Sequence, residues 1–292
     1  MAIFEGSGVA LVTPFKNGEV DYGALRALLE WQVAEGTDAI ISCGTTGEAS
    51  TLTDDEQIDV IRFTVEVIAG RIPVIAGVGS NYTAHGVELT KRADGAGADA
   101  LLHVTPYYNK ATKKGLVEHF KAMADASSLP ILLYSVPGRT GMNIDPAVCE
   151  ELAGIENIVG IKEASGNISQ VVEIARRAPE GFDLYSGNDD MIVPLLSVGG
   201  KGVVSVLANI APRDTHDMVR KFLDGDVEGS YKIQLSAKPL IDALFCEVSP
   251  IPVKAALFMM GKCEYEYRLP LCQMEEANCA RLKKEMQAYG LI

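Results

Sequence analysis

Short β-branched runs alternate with longer, helically spaced segments eight times in succession, and no other property of this 292-residue chain restricts its architecture as strongly. The spacing predicts strands at 8–13, 39–43, 73–78, 100–105, 131–135, 158–163, 183–186 and 202–206. Helices are predicted between and after them at 22–35, 54–69, 83–95, 114–126, 146–152, 169–177, 190–198 and 212–223. The strand runs are continuously apolar, as in Ala100-Leu101-Leu102-His103-Val104, which suits a parallel sheet covered by helices on both faces. Thr53 with Glu56 three residues on reads as a capping box, and Asp145 precedes a proline at a first helical position.

Eight βα units within about 225 residues match an α/β fold of the (β/α)8 TIM-barrel type. An open doubly wound sheet would carry a glycine-rich turn after its first strand, and the chain reads Val12-Thr13-Pro14-Phe15-Lys16-Asn17-Gly18 there. Past Leu223 the alternation stops and three helical stretches follow, near 228–245, 251–260 and 274–289. Residues 1–224 therefore read as the barrel and 225–292 as a C-terminal helical appendage. With no low-complexity linker before it, the appendage is expected to pack on the barrel or on a neighbouring subunit.

Composition removes several classes of function. Lys and Arg number 26 against 39 Asp and Glu, a formal charge of −13, the wrong sign for binding nucleic acid by counterion release. No apolar run reaches the ~18 residues of a membrane helix, and the N-terminus has no basic segment followed by an apolar one. Six cysteines without a CxxC pair and four scattered histidines argue against a metal site. The cysteines read as free thiols of a cytoplasmic protein, used as small core hydrophobes.

In barrel enzymes the chemistry sits just beyond the carboxyl ends of the strands. There the second strand is followed by Gly44-Thr45-Thr46-Gly47-Glu48, whose hydroxyls and N–H groups suit a carboxylate, although such residues also cluster in loops for turn reasons. The fourth strand leads into Thr105-Pro106-Tyr107-Tyr108-Asn109, and the fifth carries Tyr134 and then Arg139, a planar fork for a second carboxylate. Tyrosines at strand ends also serve as amphipathic filler, and loop arginines as solvated charges. Lys162 ends an otherwise apolar sixth strand; desolvating an amine disfavours its charged form, and a neutral amine attacks carbonyls to form Schiff bases, although snorkelling to solvent is the structural alternative. Lys254, at the start of a predicted appendage helix, reads as structural.

Four motifs in this order and spacing run through the whole chain: GTTGE at 44–48, TPYYN at 105–109, LYSVPGRTG at 133–141 and GIKEASGN at 160–167. Together they resemble the 4-hydroxy-tetrahydrodipicolinate (dihydrodipicolinate) synthase family, within the pyruvate-dependent class I aldolase superfamily that also holds N-acetylneuraminate lyase. The resemblance implies a lyase that condenses pyruvate with L-aspartate 4-semialdehyde in diaminopimelate and lysine biosynthesis, with no cofactor beyond a covalent imine of pyruvate on Lys162. It assigns catalysis to Lys162, Tyr134, Thr46 and Tyr108, and substrate binding to Thr45, Thr46, Arg139, Gly187 and Val204. Tyr107 becomes an interface residue in a homotetramer (dimer of dimers) or homodimer. Arg139 separates synthases from sugar acid lyases of the same superfamily, which usually lack it. Asn81 and Tyr107 match a lysine-effector cleft that position 85 also lines, but there this chain departs: sensitive relatives resemble one another in having histidine where it has Asp54 and glutamate where it has His85. The expectation is a cleft without the carboxylate that would meet the effector's ammonium, hence weak or absent inhibition by lysine. Should inhibition be strong, Glu48 or another acid would have to replace it.

Overall fold

The computed structural model describes residues 2–292. Its strands are β1 (Gly6–Ala10), a hairpin of β2 (Phe15–Lys16) and β3 (Glu19–Val20), then β4 (Ala39–Ser42), β5 (Val74–Gly77), β6 (Ala100–Val104), β7 (Ile131–Ser135), β8 (Ile158–Glu163), β9 (Asp183–Ser186) and β10 (Gly202–Ser205). All but the hairpin are parallel and form a closed ring in the order β1-β10-β9-β8-β7-β6-β5-β4, with β1 bonded to both β10 and β4. The eightfold alternation thus closes into the expected barrel.

Around it run α1 (Tyr22–Ala34), α2 (Asp54–Ile68), α3 (Thr83–Gly95), α4 (Lys113–Ala124), the single turn α5 (Pro137–Thr140), α6 (Pro146–Leu152), α7 (Ile168–Arg177), α8 (Ile192–Leu196) and α9 (Pro212–Leu223). The box that starts α2 is complete: Glu56 N–H donates to the Thr53 hydroxyl at 3.2 Å, and Thr53 N–H to the Glu56 carboxylate at 2.9 Å. Three further helices, α10 (Val227–Leu244), α11 (Ile251–Met259) and α12 (Glu276–Tyr289), lie beyond residue 225. They pack on the barrel. One apolar core runs from Leu28 and Ile61 under the barrel helices through Leu240 of α10 to Leu282 and Met286 of α12.

The barrel interior is filled by Ala10, Ile41, Ile75, Leu102, Leu132, Tyr134, Tyr185 and Val204, so it is a packed core and not a pore. At its amino end Phe4 stacks on Tyr185 with ring centroids 4.4 Å apart, and the Tyr185 hydroxyl donates to the Phe4 carbonyl at 2.6 Å. Function is left to the opposite mouth.

Two local features depart from expectation. The first strand covers 6–10 instead of 8–13, because the Asn209 side chain takes over the backbone bonding: it accepts from Val12 N–H at 3.1 Å and donates to the Ala10 carbonyl at 2.8 Å. The β2–β3 hairpin was absent from the strand assignment although Asn17-Gly18 is its turn, both residues having positive φ, 55° and 83°. It carries Phe15, wholly buried beneath the appendage.

Candidate active site

Lys162 lies near the carboxyl end of β8, directly paired with Tyr134 on β7. Only 6% of it is exposed, and its Nζ stands 4.1 Å above the Tyr134 ring centroid, where the negative face of the ring favours a cation. Gly187 borders the same side chain. A Cβ built on it would come within 2.6 Å of the Ala164 Cβ and 3.1 Å of Lys162 Cε, so a larger residue would push the lysine aside. Val204 shares the barrel-interior cluster with Tyr134.

Asp189, buried just beyond β9, also faces this region. Its carboxylate accepts from the Ser205 hydroxyl at 2.6 Å and from the N–H groups of Val206 and Leu207 at 3.1 and 2.9 Å. Burial raises its pKa, while those hydrogen bonds and the nearby Lys162 charge oppose the rise. It fixes the backbone after β10, and sequence reading missed it because an acid in a Gly-Asn-Asp-Asp run looks like a turn.

Thr46 is buried in the loop after β4, whereas Thr45 is exposed. Arg139, on the exposed turn α5, donates to the Ser249 carbonyl at 3.0 Å, which ties the fork to the appendage. Tyr107 is 41% and Tyr108 93% exposed, and Tyr108 has a left-handed backbone, φ 71°. One chain therefore brings together Lys162, Tyr134, Gly187 and Val204, and leaves Tyr108 pointing into solvent. Among the described residues no group of three or more His, Cys, Asp or Glu side chains is arranged to hold a metal, and no helix is long and apolar enough to cross a membrane.

Lys254, read from the sequence as structural, does not reach solvent: it is wholly buried on α11, with Nζ 2.6 Å from the Glu48 carboxylate. A lysine surrounded by Ile251, Val253, Ala255, Ala256 and Leu257 has no polar face to reach, and that flanking pattern was the available signal for a buried partner.

The cleft near Asn81 is also not as expected. The Asn81 side chain donates to the Tyr107 carbonyl at 3.1 Å, and the Ser80 hydroxyl meets His85 Nδ1 at 3.1 Å. Both oxygens of Asp54 stand 3.0 Å from His85 Nε2. A carboxylate is therefore present, delivered from position 54 instead of 85. Glu48 is not its substitute, being engaged by Lys254 in the interior.

A sequence model of the dihydrodipicolinate synthetase family matches residues 3–289. The 4-hydroxy-tetrahydrodipicolinate synthase of Caldicellulosiruptor bescii is 58% identical over 292 residues, covering 100% of this chain and 99% of the relative. The crystal structure of the Acinetobacter baumannii dihydrodipicolinate synthase with pyruvate superposes with a TM-score of 0.97 at 42% identity over 99% of both chains. That of the Cyanidioschyzon merolae enzyme with lysine bound does so with 0.97 at 42% identity over 100% of both chains.

Proposed function

The chain belongs to the dihydrodipicolinate synthetase family, and from that membership we propose that it is the lyase that condenses pyruvate with L-aspartate 4-semialdehyde to 4-hydroxy-tetrahydrodipicolinate through an imine on Lys162, in the cytoplasm. The Lys162 amine adds to the C2 carbonyl of pyruvate and water leaves. Loss of a methyl proton gives an enamine, whose carbon attacks the aldehyde of the second substrate. The amino group of that substrate then attacks the imine carbon, which closes the ring and releases Lys162. Electrons balance without an oxidant, and no cofactor is required.

Tyr134 is the general acid and base at the imine, relaying protons with Thr46 and Tyr108. Thr45 and Thr46 hold the pyruvate carboxylate, Arg139 holds that of the semialdehyde, and Gly187 and Val204 line the pocket. The observation that carries this reading is the buried Lys162 amine above Tyr134, its neighbour across the β7–β8 pair. Arg139 favours the synthase over a lyase acting on longer keto acids, and the absence of turnover with N-acetylmannosamine would bear that out. The exposed Tyr108 supports a homodimer or homotetramer (dimer of dimers) in which it reaches a neighbour's site through a contact around Tyr107.

Borohydride reduction with pyruvate is expected to fix the substrate on Lys162, and Lys162→Ala to abolish the adduct. Mapping of the adduct to Lys201 would overturn the assignment. Arg139→Ala is expected to retain trapping while condensation falls about a hundredfold, roughly 3 kcal/mol. Equal loss of both in a folded variant would refute that division of roles.

A further inference from the structure

Glu48 and Lys254 meet in the interior, 206 residues apart in sequence, with neither side chain exposed and 2.6 Å between Nζ and Oε1. The ammonium also sits 4.3 Å from the Phe15 ring centroid and 5.0 Å from that of Tyr267. The Tyr267 hydroxyl donates to the Ile251 carbonyl at 2.7 Å and so holds the start of α11 against the same contact. Burial pushes Glu48 up and Lys254 down, and the charge of each partner opposes the push on the other. Stability alone does not explain such a pair, since well-packed apolar residues of the same volume serve as well or better. An apolar pair, however, supplies no direction.

Direction matters because of where Glu48 stands. It ends the loop that carries Thr45 and Thr46, and its own backbone is left-handed at φ 54°, ψ 34°. Cys43, at the other end of that loop, has φ 55°. A residue with a side chain persists in this conformation only where its surroundings over-determine it. The Glu48 N–H donates to the Thr45 carbonyl at 3.1 Å, and the Thr13 hydroxyl to the Gly47 carbonyl at 2.7 Å. Among the described residues the second carboxylate oxygen of Glu48 is buried without a close hydrogen-bond partner, and Lys254 is the charged donor to this side chain, with the Arg268 backbone nearby.

We infer that Glu48 and Lys254 are positioning residues for pyruvate: their contact sets the Thr45–Thr46 loop in the geometry that retains the substrate carboxylate, so the C-terminal helices take part in substrate binding. The inference rests on the reading of Thr45 and Thr46 as carboxylate ligands. It makes Glu48 part of the function of the GTTGE motif without contact with substrate.

The test is steady-state kinetics, borohydride trapping and thermal melting of full-length Glu48→Gln, Lys254→Met and the double variant. Glu48→Gln changes almost no volume, and the double variant leaves no unmatched charge. Each is expected to raise the pyruvate KM about tenfold or more while the semialdehyde KM stays within roughly twofold and the adduct at saturating pyruvate remains on Lys162. The double variant is expected to regain most of the Tm lost by Lys254→Met, with the pyruvate KM still raised. A double variant with recovered Tm and an unchanged pyruvate KM would show a packing role only and overturn the inference. So would a folded Glu48→Gln enzyme with an unaltered pyruvate KM. If the unmodified enzyme forms no pyruvate adduct on Lys162, the proposed function falls and this inference with it. A normal adduct with unaltered variants removes this inference alone.

Discussion

Asp54 and His85 show how a single exchange of positions alters what a cleft offers. The two groups face each other at 3.0 Å, both partly exposed, so an incoming ammonium would have to displace an imidazole before it reached the acid. That substitution is a poor bargain in water-exposed surroundings, where ion pairs contribute about 0–1 kcal/mol. Weak inhibition by lysine therefore remains the expectation, now because the acid is occupied and not because it is missing. His85→Glu would set two carboxylates around the cleft, and a lysine titration of initial rates at fixed mildly alkaline pH should show inhibition strengthened about tenfold or more. An unchanged titration would mean that lysine does not bind beside Asn81.

The packing of α3 and α4 on β6 encloses two histidines. Thr90 gives its hydroxyl proton to the Gly86 carbonyl at 2.7 Å, so His103 Nε2 must donate to Thr90, at 3.2 Å, and Nδ1 is left buried without a partner. Burial pushes the His103 imidazole down to about 3, with His119 nearby adding to the effect, and burial lowers His119 as well. For His103 the unfolded chain takes up its proton below about pH 6.5 and the native state does not, so this stability is complete above that point and lost as pH falls toward about 3, at up to ~1.4 kcal/mol per unit, and His119 acts in the same direction. His103→Leu should flatten the dependence of unfolding free energy on pH between about 6.5 and 4, with a change near neutrality of less than about 1.5 kcal/mol, since an unsatisfied polar group is removed. Denaturant titrations across that range check it; an equal slope in the variant would refute the assignment. The elements themselves were largely legible, because eight apolar runs of strand length admit few other arrangements, and the rule that chemistry follows strand ends led to Lys162, Tyr134 and Arg139. What escaped was non-local. The end of β1 depends on Asn209, the burial of Lys254 on Glu48, and the carboxylate beside His85 on Asp54, 31 positions away.

For the whole molecule, the exposed Tyr108 makes assembly a condition of catalysis under the proposed function. Subunits with Lys162→Ala and subunits with Tyr108→Phe should each be nearly inactive, and equal mixtures reassembled as dimers should recover about a quarter of native activity, since half the dimers then hold one intact composite site. No recovery would mean that Tyr108 serves its own chain. The Glu48–Lys254 contact bears on assembly in time as well as in space. Synthesis delivers Glu48 early, and its counter-ion only after more than two hundred further residues have left the ribosome. A chain that stopped before residue 254 would lack the counter-ion together with Tyr267 and Arg268, which stand beside Glu48, so the carboxylate would lose both its partner and its cover. The loop that carries Thr45 and Thr46, among the first parts of the barrel to be made, therefore gains its last ionic contact only once α11 exists.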